Sequence, residues 1–138
     1  MSNPLSQVKK QSRRILVVDD EPHVAGTIRM VLTHAGHSVD IVPSAQNALA
    51  AFAVGKYDLI MSDLSLGKMN GLQLADAIKA QAPGQAVILV TAHAESIQRD
   101  KARLDKVDGL LGKPFTLNQL QVLLDKIFPP TTEVLVTV

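Results

Sequence analysis

At 138 residues, with 46% hydrophobic but only 3% aromatic content, the chain is one domain's worth of sequence built around an aliphatic core. The absence of cysteine excludes disulfides, thiol catalysis and cysteine-ligated metal, and it fits a cytoplasmic chain. The formal charge of +1 is uneven: Lys9, Lys10, Arg13 and Arg14 lie in an acid-free leading stretch, and without those four cations the remainder carries −3.

No stretch approaches the roughly 20 apolar residues that a membrane-spanning helix needs. Residues 1–14 also lack the apolar segment of a secretory signal. Polar and containing Pro4, residues 1–13 read as a disordered basic leader. The folded unit then runs over 14–128, and 129–138 form a tail. Ile15–Val18 is a continuous apolar run of the kind buried on both faces of a sheet. Pro22 suits a helix's first turn, with Asp20 as its cap, and Val24, Ile28, Val31 and Leu32 recur at helical spacing until Gly36. Ser38–Val42 reads as a second strand. Ser44 caps a second helix carrying Ala48, Leu49 and Phe52, which Gly55 ends. Leu59–Ser62 is a third strand, and Asn70-Gly71 opens a helix with Leu72, Leu74, Ala75 and Ile78. Val87–Val90 is a fourth strand, 95–104 a fourth helix of poor periodicity, and Leu110-Leu111 a short fifth strand. Thr116 caps a last helix bearing Leu117, Leu120, Leu123, Leu124 and Ile127, closed by Pro129-Pro130. Five β-α units in alternation predict a doubly wound α/β fold: a parallel sheet with helices on both faces.

Ligands in such sheets bind beyond the carboxyl ends of the strands. Asp19, Asp20, Asp63, Thr91 and Lys113 all fall at those ends. Carboxylates brought together repel, and Mg²⁺, which prefers oxygen ligands, offsets their repulsion. Asp20 and Asp63 would bind it directly and Asp19 through water. A carboxylate is also a competent nucleophile toward phosphorus, and a lysine and a hydroxyl suit the transferred oxygens. Taken singly each residue has a plainer role, as a helix cap, a turn residue or a structural hydroxyl. Their shared position at one end of the sheet is what points to phosphoryl chemistry.

The segments VVDDEP (17–22), DLIMSDLSLGKMNG (58–71), VILVTAHA (87–94) and LLGKPF (110–115) together resemble the receiver domain of two-component response regulators, over about residues 14–128. The resemblance implies a five-stranded flavodoxin-like (βα)5 fold of strand order 2-1-3-4-5. It makes Asp63 the phosphoacceptor and Asp19 and Asp20, with the Ser65 backbone carbonyl, the Mg²⁺ ligands. Thr91 becomes the switch hydroxyl, Lys113 the phosphate-binding lysine, and Lys113–Pro114 a cis peptide. It further implies a signalling module rather than an enzyme. Its partners would be a histidine kinase and a downstream effector or output domain, with neither nucleic acid nor membrane bound directly and a homodimer open.

Three positions depart from the family pattern: Gly67 replaces a usual proline, Leu66 a frequent methionine, and Leu110 a usual tyrosine or phenylalanine. Gly67 and Leu110 motivate an alternative, an interaction module of the same fold that works without phosphate. A phosphatase is disfavoured because Ser65, not an acid, stands two residues after Asp63. His93 is a candidate modulator at the mouth of the site, or an exposed loop residue. His34 and His37 straddle Gly36 and read as helix-end residues rather than a metal pair. Residues 131–138 read as an extra strand or the start of a linker.

Overall fold

The computed structural model describes residues 12–95 and 105–129. Five strands, β1 (Arg14–Val18), β2 (Ser38–Val42), β3 (Leu59–Asp63), β4 (Ala86–Thr91) and β5 (Gly109–Gly112), alternate with helices α1 (Pro22–His34), α2 (Ala45–Ala51), α3 (Gly71–Gln81) and α4 (Leu117–Ile127). All strands are parallel, in the order β2-β1-β3-β4-β5. The expected helix over 95–104 lies outside the described residues apart from Glu95, as do residues 1–11 and 130–138.

The unbroken apolar runs are explained by a sheet covered on both sides, since alternate residues of a strand face opposite ways. Ile15, Val17, Leu59, Met61, Ile88 and Val90 pack with Ile28 and Leu32 of α1 and Leu120 and Leu124 of α4. Leu16, Val18, Ile60 and Val87 pack on the other face with Ala45 and Ala48 of α2 and Leu74, Ala75 and Ile78 of α3.

Local signals set the helix ends. Ser44 Oγ accepts the Asn47 N–H at 3.0 Å. Asn70 and Thr116 each form a reciprocal capping box, with Gln73 and Gln119 respectively. Two expectations are corrected. Glu21, not Asp20, occupies the cap position of α1 and makes no side-chain cap; instead Asp19 Oδ1 accepts the Glu21 N–H at 2.9 Å. Helix α2 stops at Ala51 rather than near Gly55, because Phe52 turns extended (φ −71°, ψ 136°) and sinks its ring into the core.

Residues 12 and 13 are held against the fold. Ser12 Oγ donates to the Gly36 carbonyl at 2.7 Å and the Arg13 N–H donates to His37 Nδ1 at 3.0 Å. The Arg13 guanidinium lies 4.3 Å from the Phe128 ring centroid.

Candidate functional site

Strand register assembles the site. Val18 pairs with Ser62, Asp63 with Val90, and Thr91 with Gly112. The next residues along β1 and β5, Asp19 and Lys113, therefore emerge beside Asp63 and Thr91. The junction lies where the order reverses around β1, since β2 and β3 leave it on opposite sides. Carboxylate oxygens of Asp19, Asp20 and Asp63 lie within 4.8 Å of one another. Asp19 is buried, Asp63 half-buried and Asp20 exposed, so the cluster opens to solvent on the Asp20 side.

Lys113 supplies the opposing charge. Its Nζ donates to Asp19 Oδ2 at 2.9 Å and lies 3.3 Å from Asp63 Oδ2. Burial disfavours the ammonium, but its hydrogen bond to Asp19 and the charges of Asp63 and Asp19 outweigh it, and the Lys113 pKa stands above the ordinary lysine value. One ammonium facing three carboxylates leaves two negative charges over. All the donors are hard oxygens. That set fits a divalent cation such as Mg²⁺, with Asp19, Asp20 and Asp63 as its holders.

Thr91 is buried at the end of β4. Its Oγ1 accepts the His93 N–H at 3.1 Å. The Thr91 carbonyl accepts the Lys113 N–H at 2.8 Å, so the two residues are tied through the backbone. The bond between Lys113 and Pro114 is cis, in agreement with the resemblance. Leu110 is half-buried on β5, and His93 is exposed beside Thr91.

The loop after β3 is pinned at several points. Ser65 N–H reaches Asp63 Oδ1 at 3.3 Å, and Gly71 N–H donates to the Leu64 carbonyl at 2.8 Å. Gly67 sits at φ +76°, a left-handed conformation that proline's fixed φ of about −65° cannot adopt. The path this loop takes therefore excludes proline and favours glycine. Ser62, wholly buried, donates its hydroxyl to the Asp63 carbonyl at 2.8 Å.

Asp19, Asp20, Asp63 and Lys113 thus converge side chain to side chain. Thr91 lies on the strand beside them, and Ser65 on the loop that leaves Asp63. Ser62 went unremarked in the sequence. The available signal was a hydroxyl inside an otherwise apolar run.

Residues 15–125 match the family model described as the response regulator receiver domain. Among curated relatives, the transcriptional regulatory protein TcrA of Mycobacterium tuberculosis is 34% identical over 107 residues, covering 78% of this chain and 42% of TcrA. The alginate biosynthesis transcriptional regulatory protein AlgB of Pseudomonas aeruginosa is 36% identical over 119 residues, covering 86% of this chain and 26% of AlgB. This chain therefore spans less than half the length of these two relatives. Among solved structures, the response regulator TrrA of Thermotoga maritima, in complex with Mg²⁺ and BeF, superposes with a TM-score of 0.75 at 30% identity, over 83% of this chain and 98% of TrrA. The chain belongs to the response regulator receiver domain family, the signalling modules of two-component systems. Receiver domains bind Mg²⁺ at an acidic pocket, and the cluster of Asp19, Asp20 and Asp63 has the donors for it.

Proposed function

We propose that this domain accepts a phosphoryl group on Asp63 from the phosphohistidine of a histidine kinase, and that the modified domain changes its protein contacts. The observation that carries the reading is the convergence of Lys113 Nζ and the carboxylates of Asp19 and Asp20 on Asp63, which is only half-buried and so open to a donor.

In the transfer, an Asp63 carboxylate oxygen forms the new P–O bond as the P–N bond to the donor imidazole breaks. The electron pair returns to the imidazole nitrogen. Bound Mg²⁺, held by Asp19, Asp20, Asp63 and the Ser65 carbonyl, would supply positive charge against the phosphoryl oxygens. Lys113 acts as a second point charge, exchanging its contact with Asp63 for one with phosphoryl oxygen. The Thr91 hydroxyl, its oxygen already engaged by the His93 N–H, donates to another. The added charge then biases the surface of β5 and α4.

A macromolecular donor fits the surroundings. An apolar groove lined by His23, Val24, Ile28, Val31, Pro114 and Phe115 opens beside Lys113. The domain works in the cytoplasm, where histidine kinases present their phosphohistidine, and hands its signal to a downstream effector or an output domain. It makes no direct contact with nucleic acid or membrane. Among the described residues no helix is long and apolar enough to cross a membrane.

Incubation with acetyl phosphate and Mg²⁺, followed by intact mass, tests the assignment. Wild type gains one phosphoryl group and Asp63→Asn gains none. A folded wild type that stays unmodified would favour the second reading, a phosphate-independent interaction module. Leu110, in place of the usual aromatic, and the left-handed Gly67 supply the motive for that reading.

A further inference from the structure

We propose that Ser62 and Gly71 are positioning residues: they clamp the two peptide planes that join Asp63 to Ser65, and through them set how tightly the acidic cluster holds a divalent cation. The inference rests on the reading of that cluster as a Mg²⁺ site.

The first plane, between Asp63 and Leu64, is held at both ends. Its carbonyl accepts the Ser62 hydroxyl at 2.8 Å and its N–H donates to the Val90 carbonyl at 3.3 Å. The second plane, between Leu64 and Ser65, is held likewise. Its carbonyl accepts the Gly71 N–H at 2.8 Å and its N–H reaches Asp63 Oδ1 at 3.3 Å. These planes fix the direction in which the Asp63 side chain leaves β3 and the course of the backbone toward the Ser65 carbonyl. Two of the four proposed metal ligands thus hang on one short, doubly anchored stretch.

Gly71 is needed there for room, not for conformation. It lies at the start of α3 and its φ is not in the left-handed region, unlike that of Gly36, Gly55 and Gly67. A Cβ on Gly71 would fall 2.5 Å from the Asp63 carbonyl oxygen, 2.8 Å from Leu89 Cδ2 and 3.1 Å from Ser62 Oγ. Leu89 can turn aside, but a backbone oxygen moves only with its peptide plane. The helix cannot simply slide away either. The Asn70–Gln73 capping box locks its first turn, at 2.8 Å and 2.9 Å. Ser62 is the complementary case: its hydroxyl is wholly buried, and the Asp63 carbonyl is the partner that satisfies it.

The test is Mg²⁺ titration of the unphosphorylated protein, followed by backbone amide chemical shifts, on wild type, Ser62→Ala, Gly71→Ala and Gly26→Ala. Gly26 has nothing within 4 Å of its would-be Cβ and serves as the control. Both site variants are expected to bind Mg²⁺ about tenfold more weakly, the scale of a lost outer-shell contact. Gly26→Ala should match wild type. A change confined to stability, with Mg²⁺ affinity equal in all four, would leave Ser62 and Gly71 as mere packing and overturn the proposal. If Gly71→Ala does not fold, Ser62→Ala, which removes a single oxygen, decides alone. A wild type that shows no saturable Mg²⁺ response sinks the metal reading itself, and the positioning claim with it. A wild type that binds while both folded variants bind equally well sinks the positioning claim only.

Discussion

Lys113 faces three carboxylates with one positive charge, so the cation-free site is under like-charge repulsion. Removing one acid should relieve it. Asp20→Asn is expected to raise the thermal midpoint in EDTA by about 3–5 °C, roughly what 1 kcal/mol does in a domain of this size. The gain should shrink in high salt, because Asp20 is exposed. An unchanged or lower midpoint would show that Lys113 already balances the cluster. His37 makes a second prediction at this scale. Burial, with Arg13 beside it, lowers its pKa below the ordinary 6.5. The folded state therefore binds fewer protons at His37 than the unfolded chain does. The stability this confers is complete above pH 6.5 and is lost as pH falls from there through the folded value. Protonation also cancels the acceptor that holds the Arg13 N–H. Denaturant midpoints between pH 5 and pH 7.5 should fall on the acid side for wild type and less so for His37→Gln. Parallel curves would remove His37 from the account. The acids and Lys113 were readable from the sequence because each breaks an apolar run or directly follows one. The bonds of Ser62 and His37 were not, because both partners are backbone atoms, and for His37 the partner lies 24 residues away along the chain.

Strands and helices were mostly announced by local chemistry. The caps Ser44, Asn70 and Thr116 hold the positions their residue types suggested. Helix α4 is the sharpest case, with Thr116 closing a capping box and Leu120 and Leu124 turned into the core. Thr116→Ala is expected to cost about 1 kcal/mol, the usual worth of a cap. Leu120→Ala, at a position with no exposed surface, should cost about 3 kcal/mol. Urea titration measures both, and a cap variant as damaging as the core variant would mean that α4 depends on its first turn more than on its packing. Boundaries failed where burial outranked punctuation. Gly55 promised the end of α2, but the chain left the helix three residues earlier to bury Phe52. Asp20 looked like the cap of α1. Asp19 instead bonds the Glu21 N–H, and the same carboxylate also meets Lys113.

At the scale of the molecule, the parallel sheet turns four separated segments, at the ends of β1, β3, β4 and β5, into one pocket at its carboxyl edge. A ligand that binds only the assembled pocket stabilises the folded state by mass action. Mg²⁺ at ten times its dissociation constant should therefore add about 1.4 kcal/mol to the unfolding free energy, and chelation should remove it. Denaturant melts with and without Mg²⁺ measure the difference. Asp63→Asn should weaken it, and a wild type indifferent to Mg²⁺ would argue against a cation in the pocket.

The sequence by itself determined the alternation of strands and helices, the two-sided burial of the sheet and the identity of the acids, hydroxyl and lysine at its edge. These follow from periodicity, turn chemistry and the resemblance, and all three are written in neighbouring residues. The resemblance also implied the strand order, which is the one observed; only the tertiary structure decided that Lys113, 94 residues from Asp19, comes within 2.9 Å of it. It also decided that Gly71 has no room for a side chain and that Gly67 takes a backbone angle that favours glycine. The Lys113–Asp19 contact joins atoms that the chain itself keeps far apart, and only packing brings them together.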